Sequence, residues 1–389
     1  MEKVYLDNNA TTRTHPEVLE AMLPFYGEFY GNPSSVHSFG REARKHLEKA
    51  RGSVAALIKA DSPEEIVFTS GGTESDNLAI KGVASALKEK GNHIVTSSVE
   101  HHAVLNTCKH LEEQGWRVTY LRVDECGLID LKELEESITG DTVLVSIMAA
   151  NNETGTVMPV EEIGKICSEK NVIFHTDAVQ LIGKLPFDVN KTRAHLVSLS
   201  AHKIHGPKGV GALYIRKETK IDPCQHGGHH EKNKRAGTEN IPGIVGLGKA
   251  CEIASAFGLP RRDEIKKLRD KLHERIKSQV CDVRVNGHPE KRLPNTLNIS
   301  FQYLEGESIV LSLDLEGIAV ATGSACTSGN LEPSHVLKSM GVKPLFSQGA
   351  VRFSFSMFNT EEEIDYIMEK LPPIIERLRK MSPVYEENK

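Results

Sequence analysis

The chain of 389 residues is long enough for two domains of ordinary size. Its 39% hydrophobic and 26% charged residues, with 31 glycines spread along the sequence, are typical of a globular protein and exclude collagen, coiled coil and a disordered chain. A net charge of −5 without a basic cluster argues against nucleic-acid binding.

The sequence also bears on compartment and metal content. No stretch reaches the roughly 20 apolar residues of a membrane-spanning helix, so we expect no membrane span. The first residues lack the basic and apolar regions of a signal peptide, which predicts a cytoplasmic protein. Seven widely spaced cysteines without a Cys-x-x-Cys pair argue against a disulfide framework and against a zinc or iron–sulfur site. We therefore expect no bound metal, and any special cysteine must act alone.

Between residues 16 and 190, short apolar runs alternate with longer segments of helical periodicity, which is the pattern of a parallel sheet flanked by helices. The predicted strands are 65–69, 93–97, 117–123, 142–149, 172–176, 196–200 and 210–216. The predicted helices are 35–60, 74–90, 101–114, 131–138 and 160–169. After about residue 258 the pattern predicts a second, α+β domain, with a helix at 261–279, strands at 295–301 and 350–356 and a helix at 361–380.

The first segment with a chemical signal is 69–74, Thr-Ser-Gly-Gly-Thr-Glu, between a predicted strand and a predicted helix. Glycines let backbone amides approach an anion, and the helix N-terminus adds partial positive charge, so a phosphate fits there. The spacing matches neither the P-loop nor the dinucleotide fingerprint. From these residues alone, a plain turn with a Thr or Ser cap is the favoured alternative.

Two neighbouring strand ends carry further polar groups. Asp177 follows an apolar strand at the sheet edge where ligands of α/β proteins bind, although it would serve equally well as a helix N-cap. Ser200, His202 and Lys203 follow the next strand. Such a lysine is by default a surface residue, but beside a histidine and a packed strand it has the surroundings of an amine that forms Schiff bases.

Taken together, these three segments indicate a pyridoxal 5′-phosphate site. The glycine turn would hold the phosphate. The acid would keep the pyridine nitrogen protonated, so that the ring accepts electrons, and the lysine would carry the cofactor as a Schiff base.

The sequence resembles the cysteine desulfurases, which are fold-type I enzymes of the class-V aminotransferase family. The motifs that carry this resemblance span nearly the whole chain and lie at 5–12, 30–35, 100–101, 203 with its neighbours, and 352–354. The resemblance implies an α/β fold with a large domain at 15–258, built on a mostly parallel seven-stranded sheet. It implies a smaller α+β domain formed by 1–14 together with 259–389.

Matched position by position, the resemblance also implies roles for individual residues. Lys203 would be the Schiff-base lysine, Asp177 the partner of the pyridine nitrogen, and Gln180 a hydrogen-bond partner of the phenolate. His101 would stack on the ring and shuttle protons. The resemblance further implies that the phosphate is bound by Thr73, Ser200, His202 and the Thr238 of a second subunit. It implies that Arg352 and Asn152 bind the substrate carboxylate, and that Asn152 also contacts the cofactor. A site shared in this way implies a homodimer.

The last segment, about 322–334, surrounds Cys326 with glycines and small polar residues, which predicts an accessible loop. Free cysteine is more often a small buried hydrophobe, and the loop alone leaves both interpretations open. The Ser-Ala-Cys-Thr-Ser sequence resembles that of the desulfurases and implies that Cys326 takes sulfur from L-cysteine as a persulfide, leaving L-alanine. The long form of the loop resembles enzymes that pass this sulfur to an iron–sulfur scaffold protein.

Several alternatives compete with this interpretation. A selenocysteine lyase or an ordinary class-V aminotransferase would use the same lysine and acid, but neither needs the long loop. A cluster scaffold would need further cysteine ligands, and a nicotinamide dehydrogenase would need a glycine fingerprint that the chain lacks. The chain departs from the family at Lys232, where relatives usually carry arginine. Lysine lacks the bidentate guanidinium fork, so we do not assign to Lys232 any salt bridge that the family makes with that arginine.

Overall fold

The computed structural model describes residues 3–323 and 334–386. Its strands are β1 (Val4–Tyr5), β2 (Ile66–Thr69), β3 (His93–Ser97), β4 (Arg117–Leu121), β5 (Thr142–Ser146), β6 (Ile173–Asp177), β7 (Leu196–Ser200), β8 (Gly211–Ile215), β9 (Val283–Asn286), β10 (Thr296–Phe301), β11 (Ile318–Ala319) and β12 (Ala350–Ser354). Its helices are α1 (Pro16–Met22), α2 (Ser38–Ile58), α3 (Gly72–Ala86), α4 (His102–Glu113), α5 (Leu131–Ser137), α6 (Val160–Glu169), α7 (Val189–Thr192), α8 (Ile241–Ile253), α9 (Arg262–Gln279), α10 (Gly306–Leu315), α11 (His335–Ser339), α12 (Pro344–Ser347), α13 (Glu361–Met381) and α14 (Pro383–Glu386).

The large sheet has the strand order β2-β8-β7-β6-β5-β3-β4. Strand β8 runs antiparallel to β2 and β7, and the other neighbours pair in parallel. Most of these strands are buried along their whole length, as expected of parallel strands covered on both faces by helices. The predicted α/β fold with a mostly parallel seven-stranded sheet is therefore confirmed.

Helices cover both faces of this sheet. Successive side chains of a strand point to opposite faces. In β8, Ala212 and Tyr214 join the apolar cluster that contains residues of α2 and α8, whereas Leu213 and Ile215 join the cluster that contains residues of α3 and α4. With its faces covered, the sheet offers its strand ends to a ligand.

A smaller antiparallel sheet, of order β12-β10-β9, packs with α9, α10 and α13 around a separate apolar cluster. The N-terminal residues Val4 and Leu6 belong to this cluster, and β1 pairs with β11. This arrangement agrees with a small domain formed by 1–14 and 259–389. The boundary itself remains a prediction, because Leu293 and Ala350 pack with the large cluster.

None of the helices in the described residues combines the length and the apolar character that crossing a membrane requires.

Candidate active site

Three of the predicted site residues lie at one edge of the large sheet. Asp177 is the last residue of β6, and Ser200 is the last residue of β7, its parallel neighbour. Lys203 ends the short 3₁₀ turn that follows β7. Because neighbouring parallel strands end at the same edge, the sheet brings these residues together, as the sequence predicts.

The turn between β2 and α3 has the features of an anion site. Gly71 adopts a φ of +155°, which favours glycine, and a Cβ at this position would lie 3.8 Å from Ser200 Oγ. Ser200 Oγ is buried and has no hydrogen-bond partner within the described residues. Thr73 is exposed in the first turn of α3, where backbone N–H groups lack helical partners. An unpaired buried hydroxyl beside a helix N-terminus fits a phosphate group, so these residues fit the phosphate of pyridoxal 5′-phosphate.

Asp177 lies in a group of buried acids. The residue is 7% exposed, and its Oδ1 accepts a hydrogen bond of 2.9 Å from Val179 N. Burial raises the pKa of Asp177 to about 6, although the charge of Lys203 opposes this rise. Burial likewise raises the pKa of Glu100 to about 8, and burial together with the charge of Asp177 raises that of Asp76. A buried carboxylate in these surroundings is stabilised by a cation, which is what a protonated pyridine nitrogen provides.

His101 is the N-cap of α4, and its Nδ1 accepts a hydrogen bond of 3.1 Å from Ala103 N. Burial, and then the charge of Lys203, lowers the pKa of His101 to about 4, so the ring is neutral at neutral pH. Since Nδ1 is an acceptor, the single proton of the neutral ring lies on Nε2. The ring can therefore donate a proton from Nε2 or face the cofactor without carrying a charge.

His202 faces the N-terminal segment of the chain. Its Nδ1 lies 3.2 Å from Thr11 Oγ1, and its main-chain oxygen accepts a hydrogen bond of 2.9 Å from Thr12 N. Burial, and then the charge of Lys203, lowers the pKa of His202 to about 4. The neutral imidazole would meet a phosphate as a hydrogen-bonding group rather than as a cation.

Asn9 connects several site residues and is 1% exposed. Its main-chain oxygen accepts hydrogen bonds from Lys203 Nζ at 2.6 Å and from Gln180 Nε2 at 2.9 Å. The Ala10 oxygen accepts a second bond of 2.6 Å from Lys203 Nζ. Gln180 Oε1 in turn accepts a bond of 2.7 Å from Lys184 Nζ. The N-terminal segment is thus part of the wall of this site.

Arg352 lies in β12 with its side chain 3% exposed. Its Nη2 pairs with Asp7 Oδ1 at 2.6 Å, and its Nη1 donates to the main-chain oxygen of Asn152 at 3.0 Å. Arg352 Nε is buried without a hydrogen-bond partner among residues 3–323 and 334–386. A buried guanidinium already paired with one carboxylate has the geometry to bind another, as a substrate carboxylate requires.

Cys326 lies outside the described residues. The residues on either side of that gap both contact Glu153: Ser334 Oγ donates to Glu153 Oε2 at 2.5 Å, and a Cβ at Gly323 would lie 2.3 Å from the same oxygen. Glu153 directly follows Asn152, the main-chain partner of Arg352. Both ends of the cysteine segment therefore start beside the Arg352 site.

The described cysteines are all free. Burial raises the pKa of the Cys108 and Cys167 thiols to about 12 and also raises that of Cys251. Because the thiolate is the nucleophile, these buried cysteines are unsuited to attack a substrate.

Thr238 is exposed in the loop between β8 and α8. Two ion pairs anchor this loop to the rest of the chain. Glu231 accepts two hydrogen bonds of 2.8 Å from the Arg51 guanidinium, and Arg235 Nε donates to Glu74 Oε1 at 2.8 Å. Since Glu74 belongs to the first turn of α3, the loop is tied to the helix that begins at the candidate phosphate site.

At Lys232, where the sequence departs from the family, the side chain forms an exposed pair with Glu64 at 3.4 Å. Exposed pairs of this kind contribute little to stability.

Sequence reasoning assigned no role to Asp7, Asn9 or Lys184, although all three contact predicted site residues. It also assigned none to Glu153, which lies against both residues that flank the cysteine segment. The only signal for Asp7 and Asn9 is their place in the Asp-Asn-Asn run of a motif, where polar residues directly follow a short apolar strand. Nothing in the sequence around Lys184 distinguishes it from a surface lysine.

Comparisons with known proteins agree with this geometry. The family model described as "Aminotransferase class-V" matches residues 4–367. Cysteine desulfurase IscS of Dictyoglomus turgidum is 52% identical over 385 residues, covering 99% of this chain and 98% of its own length. A solved NifS-like protein is 45% identical with a TM-score of 0.91, covering 97% of this chain and 100% of its own. The structure titled "SspA in complex with cysteine" is 37% identical with a TM-score of 0.81, covering 92% of this chain and 100% of its own.

The chain therefore belongs to the class-V aminotransferase family, whose enzymes use pyridoxal 5′-phosphate. Within that family it belongs with the cysteine desulfurases, which it matches along nearly its whole length.

Proposed function

We propose that the protein converts L-cysteine to L-alanine and transfers the sulfur to Cys326, which becomes a persulfide. Cysteine desulfurase activity and the cofactor follow from the family, and the residue roles are the proposal. The observation that carries these roles is the convergence of Lys203, Asp177 and Ser200 at one sheet edge, with Ser200 Oγ buried and unpartnered among the described residues.

When bound, pyridoxal 5′-phosphate supplies an electron sink that stabilises negative charge at the substrate Cα. Each part of the cofactor would be held by groups already described. These are Lys203 at the aldehyde carbon, Asp177 at the pyridine nitrogen, Gln180 at the phenolate, His101 at the ring face, Asn152 beside the ring, and Thr73, Ser200 and His202 at the phosphate.

Two groups of the chain would handle the substrate before sulfur transfer. Arg352 binds the carboxylate of cysteine and thereby orients the Cα–H bond for cleavage. The amine of Lys203 takes the Cα proton, because it is the group next to that carbon once the substrate amine is bound. His101 Nε2 is available to exchange protons with the reacting carbon atoms.

The sulfur step needs no external oxidant or reductant. The thiolate of Cys326 attacks the substrate sulfur, so that an S–S bond forms and the Cβ–S bond breaks. The electron pair of the broken bond stays with Cβ, which then takes a proton, and the proton that Lys203 removed returns to Cα. The products are L-alanine and one persulfide on the enzyme.

A homodimer is part of the proposal, with Thr238 reaching the phosphate site of the other subunit. Its support is a set of exposed large apolar side chains concentrated between residues 19 and 39: Leu19, Leu23, Tyr26, Tyr30, Val36 and Phe39. A monomer rarely leaves so many apolar groups uncovered in one region. The ion pairs of Glu231 and Arg235 would hold the loop of Thr238 ready for this contact.

We further propose that the persulfide sulfur is delivered to an iron–sulfur scaffold protein in the cytoplasm. The length of the Cys326 segment supports this acceptor, since the resemblance associates the long form with delivery to scaffolds. A reducing compartment keeps both the acceptor and the donor thiols available.

The test uses the protein loaded with cofactor and given L-cysteine without reductant. Wild type, Cys326→Ser and the control Cys224→Ser, which changes an exposed cysteine, are compared by alanine formation and by intact mass. We expect alanine and the mass of one added sulfur in wild type and in Cys224→Ser, and no sulfur adduct in Cys326→Ser. Full alanine production by Cys326→Ser, with no adduct on wild type, would instead support a selenocysteine lyase or an aminotransferase.

A further inference from the structure

Lys184 is a partly buried lysine that the proposed chemistry does not use. Its Nζ donates to Gln180 Oε1 at 2.7 Å and to Asn9 Oδ1 at 3.2 Å, and both acceptors are neutral amide oxygens. Burial, and then the charges of Lys203 and Arg352, lowers the pKa of Lys184 well below its ordinary value. Burying an ionisable amine costs free energy in either protonation state, so its presence beside the site calls for a function.

The two neighbours of Gln180 determine which way its amide points. Charged or neutral, the Lys184 amine carries N–H donors, and it donates to the amide oxygen at 2.7 Å. A main-chain carbonyl only accepts, so Asn9 O must face the amide nitrogen, as it does at 2.9 Å. The flipped amide would lose both bonds, and the second hydrogen on Nε2 remains available to a ligand.

We infer that Lys184 is a positioning residue, which fixes the Gln180 amide so that Nε2 donates to the phenolate oxygen of the cofactor. This inference rests on the role proposed above for Gln180. The same Asn9 oxygen accepts from Lys203 Nζ at 2.6 Å, so one backbone atom aligns both the lysine and the glutamine. Lys184 completes this arrangement through its second bond, to the Asn9 side chain.

Two effects of Lys184 must be separated, its orientation of Gln180 and its direct charge. The charged and titratable groups that face it are Lys203, Arg352, His202 and His205. A direct charge effect would persist without the Gln180 amide, whereas an orientation effect would disappear with it. A double-mutant cycle distinguishes them.

The experiment compares Lys184→Met, Gln180→Met and the double variant, with Lys165→Met as a control that makes the same change at an exposed lysine. The readouts are the dissociation constant of pyridoxal 5′-phosphate from the cofactor-free protein and the visible absorption spectrum of the loaded protein at one pH. We expect each site variant to weaken cofactor binding by about 5- to 10-fold, the worth of one hydrogen bond, and to change the spectrum. We expect the double variant to match Gln180→Met.

Two results would overturn the inference. One is a Lys184→Met variant with wild-type affinity and spectrum, and the other is a double variant in which the two effects add in full. Lys184→Arg, which keeps a donor, should restore most of the affinity, and its thermal midpoint shows whether the position tolerates change. A wild-type protein that binds no cofactor would refute the proposed site itself and is thereby distinguished from a failure of this inference.

Discussion

The two sides of the candidate active site differ in how their polar groups are hydrogen-bonded. On the side of the large sheet, Ser200 Oγ is buried and has no hydrogen-bond partner within the described residues. On the opposite side, two of the three guanidinium nitrogens of Arg352 are already bonded, to Asp7 of the N-terminal segment and to the main-chain oxygen of Asn152, and only Nε lacks a partner among the described residues. A buried hydroxyl on the sheet side is therefore available to bond a ligand, whereas the guanidinium on the other side is already paired with a carboxylate of the protein.

This difference predicts different energetics for the two halves of the site. A ligand group that meets Ser200 forms a hydrogen bond without breaking one in the protein. A substrate carboxylate that meets Arg352 must share or replace the carboxylate of Asp7, so only the difference between the two interactions contributes to binding. The cofactor should consequently bind much more tightly than the substrate.

The largest effect is expected from Lys203→Ala. Loss of the amine removes the attachment of the cofactor and the proposed base for Cα, so alanine formation should fall by about 10⁴-fold and the visible band of the loaded protein should disappear. Lys208→Ala, which changes an exposed lysine five residues later, is the control and should retain both. A Lys203→Ala protein that keeps its colour and its activity would remove this residue from the site.

The second largest effect is expected at Arg352, which is paired with Asp7 of the N-terminal segment. Arg352→Ala should raise KM for cysteine by about 100-fold, because it removes a buried charge-assisted contact, with a smaller change in kcat. Asp7→Asn should lower KM a few-fold, since it removes the competing carboxylate while keeping the shape of the side chain. An unchanged KM in Arg352→Ala would exclude Arg352 from substrate binding. A raised KM in Asp7→Asn would mean that Asp7 supports Arg352 rather than competing for it.

The smallest effect tests the sheet side. Ser200→Ala should weaken cofactor binding by about 10-fold but leave the thermal midpoint of the cofactor-free protein unchanged, because its hydroxyl has no partner to lose among the described residues. Ser198→Ala on the same strand is the contrasting variant. It loses the 3.0 Å contact with His175 Nε2 and should lower the midpoint. If Ser200→Ala and Ser198→Ala lowered the thermal midpoint equally, the Ser200 hydroxyl would have a partner in the cofactor-free protein, contrary to this prediction.

Much of the fold follows from the sequence, because periodicity and burial agree in the parallel sheet. All seven predicted strands of the large sheet and the helices between them overlap the observed elements. Helix α8 was not predicted, because it is apolar on nearly every side and so lacks an amphipathic period. The predicted strand 142–149 is longer than β5, which ends at Ser146, although the N–H groups of Ile147 and Ala149 still donate to the main-chain oxygens of His175 and Asp177 in β6.

The site is predictable to a different degree on its two sides. Asp177, Ser200 and Lys203 follow strands, and the parallel order of those strands is enough to bring them together. Asn9 contacts Asn152, Gln180, Lys203 and Asn295, which are 143 or more residues away. No local pattern encodes such pairings, because they depend on how two sheets are placed relative to each other.

The N-terminal segment also constrains the order in which parts of the protein can fold. Asn8 Nδ2 donates to the main-chain oxygen of Ser354, 346 residues later in the chain, and β1 pairs with β11. During synthesis these first residues must wait, unpaired, until almost all of the polypeptide has emerged from the ribosome. The groups that engage Lys203 and Arg352 are therefore assembled last, and a truncated or half-folded chain has no finished catalytic centre with which to release reactive sulfur.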